Sequence, residues 1–264
     1  MTRSLWNSWP EVKSSLDPSK TLLACFDYDG TLTPIVPTPE EAIATPEVRQ
    51  ALQELASLSG VVVGIVSGRP LYSLVNLVPA DPLWLIGHHG LSLRSPEGET
   101  SSMVDEEEAK RALEPLREAA SLMAAAAPGL RLEDKGSGLA MHVRNASRDA
   151  AAEAAEAFCQ EAKKLEGFAL LHGKEVYEVR PAGIDKGKAV MGLRQRAAPN
   201  SQVLYVGDDT TDEDAFRALA SITGSLTVKV GDEGAESEAE YRVDDPDDVL
   251  MLLRRLIELR SAGS

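Results

Sequence analysis

Residues 21–33 read TLLACFDYDGTLT: an apolar run of six, then two aspartates one residue apart, then glycine and threonine. Six consecutive apolar or small residues bounded by polar ones have the pattern of a strand buried on both faces, as in a parallel sheet. Asp27 and Asp29 therefore lie just beyond the strand's C-terminal end, the side on which open α/β sheets bind ligands. An exposed Asp-Gly turn has the same local composition. The choice between the two rests on the rest of the chain.

Outward from this stretch, helix and strand patterns alternate. Residues 46–58 carry apolar residues at helical spacing, and 61–66 (VVVGIV) form a second buried strand. Ser67-Gly68-Arg69-Pro70 then leads into a helix over 71–77, with a third strand at 83–86. Strands at 203–206 and 226–230 flank a helix that begins near Asp212. This order predicts an α/β class: a Rossmann-like, mostly parallel sheet with helices on both faces. The middle of the chain differs. A helix over 105–126, strands at 130–135 and 139–144, a helix over 150–165 and strands at 168–172 and 175–179, the last pair turning at Gly173-Lys174, make an inserted αββαββ unit. The predicted domains are a catalytic core at 1–97 and 182–264 and an inserted cap at 98–181. Prolines and glycines at 96, 98, 181 and 183 suit the joints. Residues 1–20, with Trp6 and Trp9, read equally as a packed helix or as a loose end.

The chain has 264 residues, with 27 Lys plus Arg against 42 Asp plus Glu, a formal charge of -15. Such acidity argues against a nucleic-acid partner or an anionic membrane surface. No run is long or apolar enough to span a bilayer, and the N-terminus lacks a secretory pattern, so a cytoplasmic location is expected. Cys25 and Cys159 read as two buried thiols rather than a disulfide or a CxxC site. A monomer is compatible with all of this.

Four groups of residues carry chemistry. A carboxylate can attack phosphorus to form an acyl phosphate. A second acid nearby can protonate the leaving oxygen and then activate water, which suits Asp27 and Asp29 respectively. GDDTTDED at 207–214 follows another apolar strand. Its hard oxygen ligands suit Mg2+ better than zinc, with Asp208 as a direct ligand beside Asp27 and Asp212 holding waters or orienting the others, unless Thr211 or Asp212 caps the next helix. Ser67 offers a hydroxyl, and its neighbours backbone N–H groups, to phosphate oxygens; it is equally read as an N-cap. Lys186, in DKGK, can neutralise the phosphoryl group and the nucleophile, with Lys188 as the competing cation. The conjunction and order of these groups point to phosphoryl transfer.

The motifs FDYDGTLTPI, SGRP, HHG, E-x-K with HxR, EVRP and GDDTTDEDAF resemble those of the haloacid dehalogenase superfamily, and within it the trehalose-6-phosphate phosphatases. The resemblance covers the whole chain. It implies Asp27 as nucleophile, Asp29 as acid/base with its carbonyl also on Mg2+, Ser67 and Lys186 as the second and third motifs, and Asp208 with Asp212 as the fourth. It also implies a sugar-phosphate substrate, met by Arg69 and His89 on the core and by Glu133, Lys135 and Glu178 on the cap. By period-two alternation Glu133 and Lys135 share one strand face, as do His142 and Arg144 on the neighbouring strand. An exposed ion pair is the competing reading of the first two, and loop packing of His88 and His89. With no glycosyltransferase-like segment ahead of the motifs, a stand-alone phosphatase is expected. Sucrose 6-phosphate, a glycosyl-phosphoglycerate or a phosphomannose are rival substrates, and a non-catalytic sugar-phosphate sensor is the rival class.

Overall fold

A computed structural model describes residues 2–38, 41–79, 81–173, 175–232, 234 and 236–262. The first segment contains β1 (Arg3–Ser4), α1 (Trp9–Ser15), β2 (Leu22–Phe26), α2 (Pro46–Ser57), β3 (Val61–Val66), α3 (Leu71–Leu77), β4 (Trp84–Gly87), β5 (Ser92–Arg94) and β6 (Thr100–Ser102). The middle contains α4 (Glu106–Ala126), β7 (Arg131–Asp134), β8 (Leu139–His142), α5 (Arg148–Ala162), β9 (Phe168–Gly173) and β10 (Val176–Pro181). The last segment contains α6 (Lys186–Ala197), β11 (Gln202–Gly207), α7 (Glu213–Leu219), β12 (Leu226–Val230), β13 (Tyr241–Val243) and α8 (Pro246–Ser261).

The chain divides into two compact units, Met1–Ser101 with Asp185–Ser264, and Ser102–Ile184. In the first, nine strands form one sheet in the order β1-β13-β12-β11-β2-β3-β4-β5-β6. Every pair from β1 to β4 is parallel, and β5 runs antiparallel to β4. All five residues of β2 are buried, as the apolar run requires. The chain leaves β2 toward β3 on one side and returns as β11 on the other. The gap beyond their C-terminal ends is thus a topological switch point, where neighbouring loops diverge and leave a crevice. Asp27 and Asp208 follow these two strands.

The second unit is a four-stranded antiparallel sheet, β7-β8-β10-β9, with α4 and α5 on one face. Leu139, Met141, Val143 and Val179 pack with Leu113, Leu116, Ala120 and Phe158 in its buried cluster. Alternation then leaves Glu133, Ala140, His142 and Glu178 on the opposite face, since Glu133 and Glu178 both lie across from Ala140. Helix α4 starts where Asp105 caps it, its side chain accepting from the N–H groups of Glu107 and Glu108.

Several expectations need correction. Residues 92–102 form two further strands of the core sheet, so the core runs on to Ser101 where a joint was expected at 97/98, and it resumes at Asp185. The open choice for the N-terminal residues, by contrast, falls to the packed helix within the core as expected: α1 buries Val12, Leu16 is buried, β1 pairs with β13, and Trp6 Nε1 donates to Asp248 Oδ1 at 2.9 Å. Strand β8 ends at His142, because Glu175 opposite Val143 turns away with a φ of 62° and a turn follows, so Arg144 stands outside the strand. Cys25 is buried, but Cys159 is only half-buried, on α5. Lys174, expected at the last hairpin turn, falls outside the described residues. Among the described residues no helix is long and apolar enough to cross a membrane.

Candidate active site

Asp27 sits one residue past β2 and is 4% exposed. Lys186, the first residue of α6, reaches it: Nζ lies 2.9 Å from Asp27 Oδ1 and 2.7 Å from Asp212 Oδ1, and the lysine is 2% exposed. Lys186 owes its place to Asp185, the N-cap of α6, whose side chain accepts from the Lys188 N–H at 2.7 Å. Lys188 points elsewhere, its ammonium exposed and 3.4 Å from Asp185. The competing cation is thereby excluded from Asp27.

Asp27, Asp208 and Asp212 each offer a carboxylate oxygen, and the three oxygens lie within 4.8 Å of one another. Gathering three carboxylates in a largely buried space is electrostatically unfavourable, and the titration of the groups reflects it. Burial, then the neighbouring Asp212, pushes the Asp208 carboxyl up to about 6. Burial likewise raises Asp27, against the pull of Lys186. Burial alone would lower Lys186, but Asp27 and Asp212 outweigh it and hold the ammonium above its ordinary range. An all-oxygen donor set with surplus negative charge fits a hard divalent cation such as Mg2+.

Asp212 occupies the N-cap position of α7 yet makes no side-chain cap bond there. Its Oδ1 accepts from Tyr205 at 2.6 Å as well as from Lys186, and its Oδ2 accepts from the Asp209 N–H at 2.9 Å. Both oxygens are thus engaged within the protein, which favours the orienting role over direct ligation. Asp208 is held differently. Thr31 Oγ1 donates to its Oδ1 at 3.3 Å, and Lys229 Nζ donates to its backbone carbonyl. Glycine at 30 is obligatory here. Its φ is +77°, and a Cβ would stand 2.1 Å from Asp208 Oδ2.

Asp29 is turned toward Arg69, whose Nε and Nη2 donate to its two oxygens at 2.6 and 2.5 Å in a bidentate fork. The guanidinium carbon also lies 5.3 Å from the centre of the Tyr28 ring. Arg69, expected to meet substrate, is therefore engaged first with the expected acid/base. Ser67 is buried, and it is no helix cap: Pro70 occupies the N-cap of α3, while Ser67 Oγ accepts from the Arg69 N–H at 3.1 Å. His88 and His89 form a short turn with φ of 48° and 57°, their N–H groups bonding Arg69 O and Ser67 O. The His89 ring lies 2.6 Å from where a Cβ on Gly68 would stand, so any larger residue there would have to displace the ring.

In the other unit, His142 Nε2 lies 2.8 Å from Glu133 Oε2, and Lys135 Nζ lies 3.1 Å from Glu178 Oε1. The hydrogen bond from His142 holds the Glu133 carboxyl below its ordinary value. Such part-exposed pairs are worth at most about 1 kcal/mol each, so polar ligands can replace them at little expense. Arg144 does not join this group. It pairs with Glu175 at 3.0 Å, both exposed. Thr31, Tyr205 and Lys229 were not foreseen as site residues. The signal was faint but present: Tyr205 and Lys229 each place a polar tip between apolar neighbours in a mostly apolar strand, QVLYVG and LTVKV.

Comparison with known proteins identifies the family. The family model described as trehalose-phosphatase matches residues 25–247. A trehalose-phosphate phosphatase of Mycobacterium marinum is 36% identical over 241 residues, covering 88% of this chain and 60% of that protein. A probable trehalose-phosphate phosphatase H of Arabidopsis thaliana is 30% identical over 265 residues, covering 94% and 75%. The chain thus spans well short of the full length of these relatives. The solved C-terminal domain of a C. albicans trehalose-6-phosphate phosphatase superposes with a TM-score of 0.81 at 26% identity, covering 98% of both chains. With the family model matched across most of its length, the chain belongs to the trehalose-phosphatase family.

Proposed function

We propose that this chain is a Mg2+-dependent phosphatase that hydrolyses trehalose 6-phosphate through an aspartyl phosphate on Asp27. The observation that carries the reading is the buried ammonium of Lys186, 2.9 Å from Asp27 and 2.7 Å from Asp212, beside the Asp208 carboxylate at the switch point of the sheet. The family and its similarly named relatives supply the substrate. Mg2+, when bound by Asp27, the Asp29 carbonyl and Asp208, supplies positive charge against the phosphoryl oxygens.

In the proposed cycle an Asp27 oxygen attacks phosphorus, and the bond from phosphorus to the sugar oxygen breaks. Asp29, released from the fork of Arg69, gives that oxygen its proton. Asp29 then takes a proton from water, whose oxygen attacks phosphorus and frees the Asp27 carboxylate with inorganic phosphate. Lys186 neutralises Asp27 and the transferring group throughout. Ser67 donates to a phosphoryl oxygen while its Oγ goes on accepting from the Arg69 N–H. The family resemblance suggests Arg69 and His89 on the core, and Glu133, Lys135, His142 and Glu178 on the inserted unit, as the side chains of each unit that meet sugar hydroxyls. A cytoplasmic location accompanies this reading.

The test is phosphate release from trehalose 6-phosphate, sucrose 6-phosphate, glucose 6-phosphate and mannosyl-phosphoglycerate, each with Mg2+ and with chelator. Trehalose 6-phosphate should be preferred, and only with metal. Preference for another ester overturns the substrate, and release from none overturns the enzyme. A folded Asp27→Asn variant that still turns over would sink the nucleophile.

A further inference from the structure

We propose that Tyr205 is a positioning residue for phosphoryl transfer: its buried hydroxyl fixes Asp212, and Asp212 in turn fixes Lys186 against Asp27. The inference rests on the phosphatase reading above, and it concerns a side chain that this reading does not use.

Tyr205 lies three residues before Asp208 on β11 and is wholly buried. Its ring packs in the cluster of Leu23, Cys25, Val66, Val190 and Phe216, edge-on to Phe216 at 5.8 Å. Phenylalanine would fill the same space without requiring any partner for a polar atom. A buried hydroxyl is unfavourable unless bonded, and here it donates to Asp212 Oδ1 at 2.6 Å, the short range of a bond to a carboxylate. Oδ1 then takes two donors, Tyr205 and Lys186, while Oδ2 takes the Asp209 N–H. With three donors in place the carboxylate has one orientation, and the ammonium bridging to Asp27 has one position. Without the hydroxyl, Oδ1 has Lys186 as its remaining donor of the two. Asp212 gains freedom to rotate and Lys186 follows it, away from the nucleophile. A displacement of about 1 Å in such a group is enough to lower a rate by up to about a hundredfold.

Tyr205→Phe tests this directly, because it keeps the ring and its packing. Turnover should be measured on whichever phosphate monoester the wild type hydrolyses fastest. Loss of preference for trehalose 6-phosphate then bears on the functional reading and not on this one. The expected result is a fall in kcat of about tenfold with KM within about twofold, since the hydroxyl acts on a group that matters most in the transition state. Vanadate, which mimics the five-coordinate transition state, should lose affinity by the same factor, while inorganic phosphate binds as before. In an Asp212→Asn background the same change should have no further effect on vanadate binding. If Asp212→Asn does not fold, the single variant decides by its kcat and vanadate affinity. Wild-type kcat and wild-type vanadate affinity in Tyr205→Phe, with urea stability alone altered, would make the hydroxyl structural and overturn the proposal. A full additional effect in the Asp212→Asn background would overturn the route through Asp212.

Discussion

Protons and Mg2+ should compete for the acidic cluster around pH 6. The Asp208 carboxyl is pushed up to about 6 by burial and by Asp212, from an ordinary 3.8. That difference corresponds to roughly 3 kcal/mol at about 1.36 kcal/mol per pH unit. The direction follows from linkage. An acid whose folded value is raised burdens the fold with its charge, in full above pH of about 6, and the burden lifts as the proton returns below it. A divalent cation lifts the same burden, so it binds the ionised form and displaces the proton. Asp208 is about nine-tenths ionised at pH 7 and about one-tenth at pH 5. On this group alone, apparent Mg2+ affinity should fall about tenfold from pH 7 to pH 5. Asp27, also raised by burial, adds in the same direction, so the factor is a floor. Isothermal titration at about pH 5, 6 and 7, in buffers of different ionisation heat, measures both affinity and proton release, with about half a proton or more expected at pH 6. Affinity that stays flat across this range, or binding without proton release, would refute the reasoning.

Gly30→Ala places a methyl group 2.1 Å from Asp208 Oδ2 at a φ of +77°. It should weaken Mg2+ at least about tenfold by the same titration, through displacement of Asp208. Arg69→Lys keeps the charge and loses the fork on Asp29. A fall of about tenfold in kcat would assign Arg69 to Asp29, whereas a change confined to KM would return it to substrate binding. Arg260 on α8 donates Nη1 to the carbonyls of Asp17, Pro18 and Lys20, at 3.4, 3.4 and 2.8 Å, where the N-terminal segment enters β2. Arg260→Met should lower unfolding free energy by about 1–2 kcal/mol in urea, because three part-buried carbonyls lose a charged donor. Unchanged stability would contradict this.

Local sequence was a sufficient guide wherever one strand's own burial fixes its neighbours. The apolar runs at 22–26, 61–66 and 203–206, alternating with helical patterns, read as strands of a covered parallel sheet, because short continuous apolar runs have no exposed face. The side on which Asp27 and Asp208 emerge follows from the same fact, and so does the αββαββ order of the inserted unit, whose turns and helix caps are local signals. Short strands such as Arg3–Ser4 and Tyr241–Val243 were not legible, since two or three residues carry no period and acquire one only by pairing with each other. The same holds for Ser92–Arg94, which carried no strand signal and lies in the sheet as an antiparallel neighbour of β4.

At the site, the sequence supplied the identity of the charged groups, because carboxylates and a lysine just past buried strands have few uses other than chemistry. It could not supply their partners. Lys186 was chosen over Lys188 by the helix that Asp185 caps, which buries one ammonium and exposes the other. Arg69 was drawn to Asp29, and Asp212 was filled by Tyr205, Lys186 and the Asp209 N–H, by contacts between residues up to 40 positions apart. Hydrogen bonds of this kind depend on distances of tenths of an ångström between separate elements, and tertiary packing alone sets those distances.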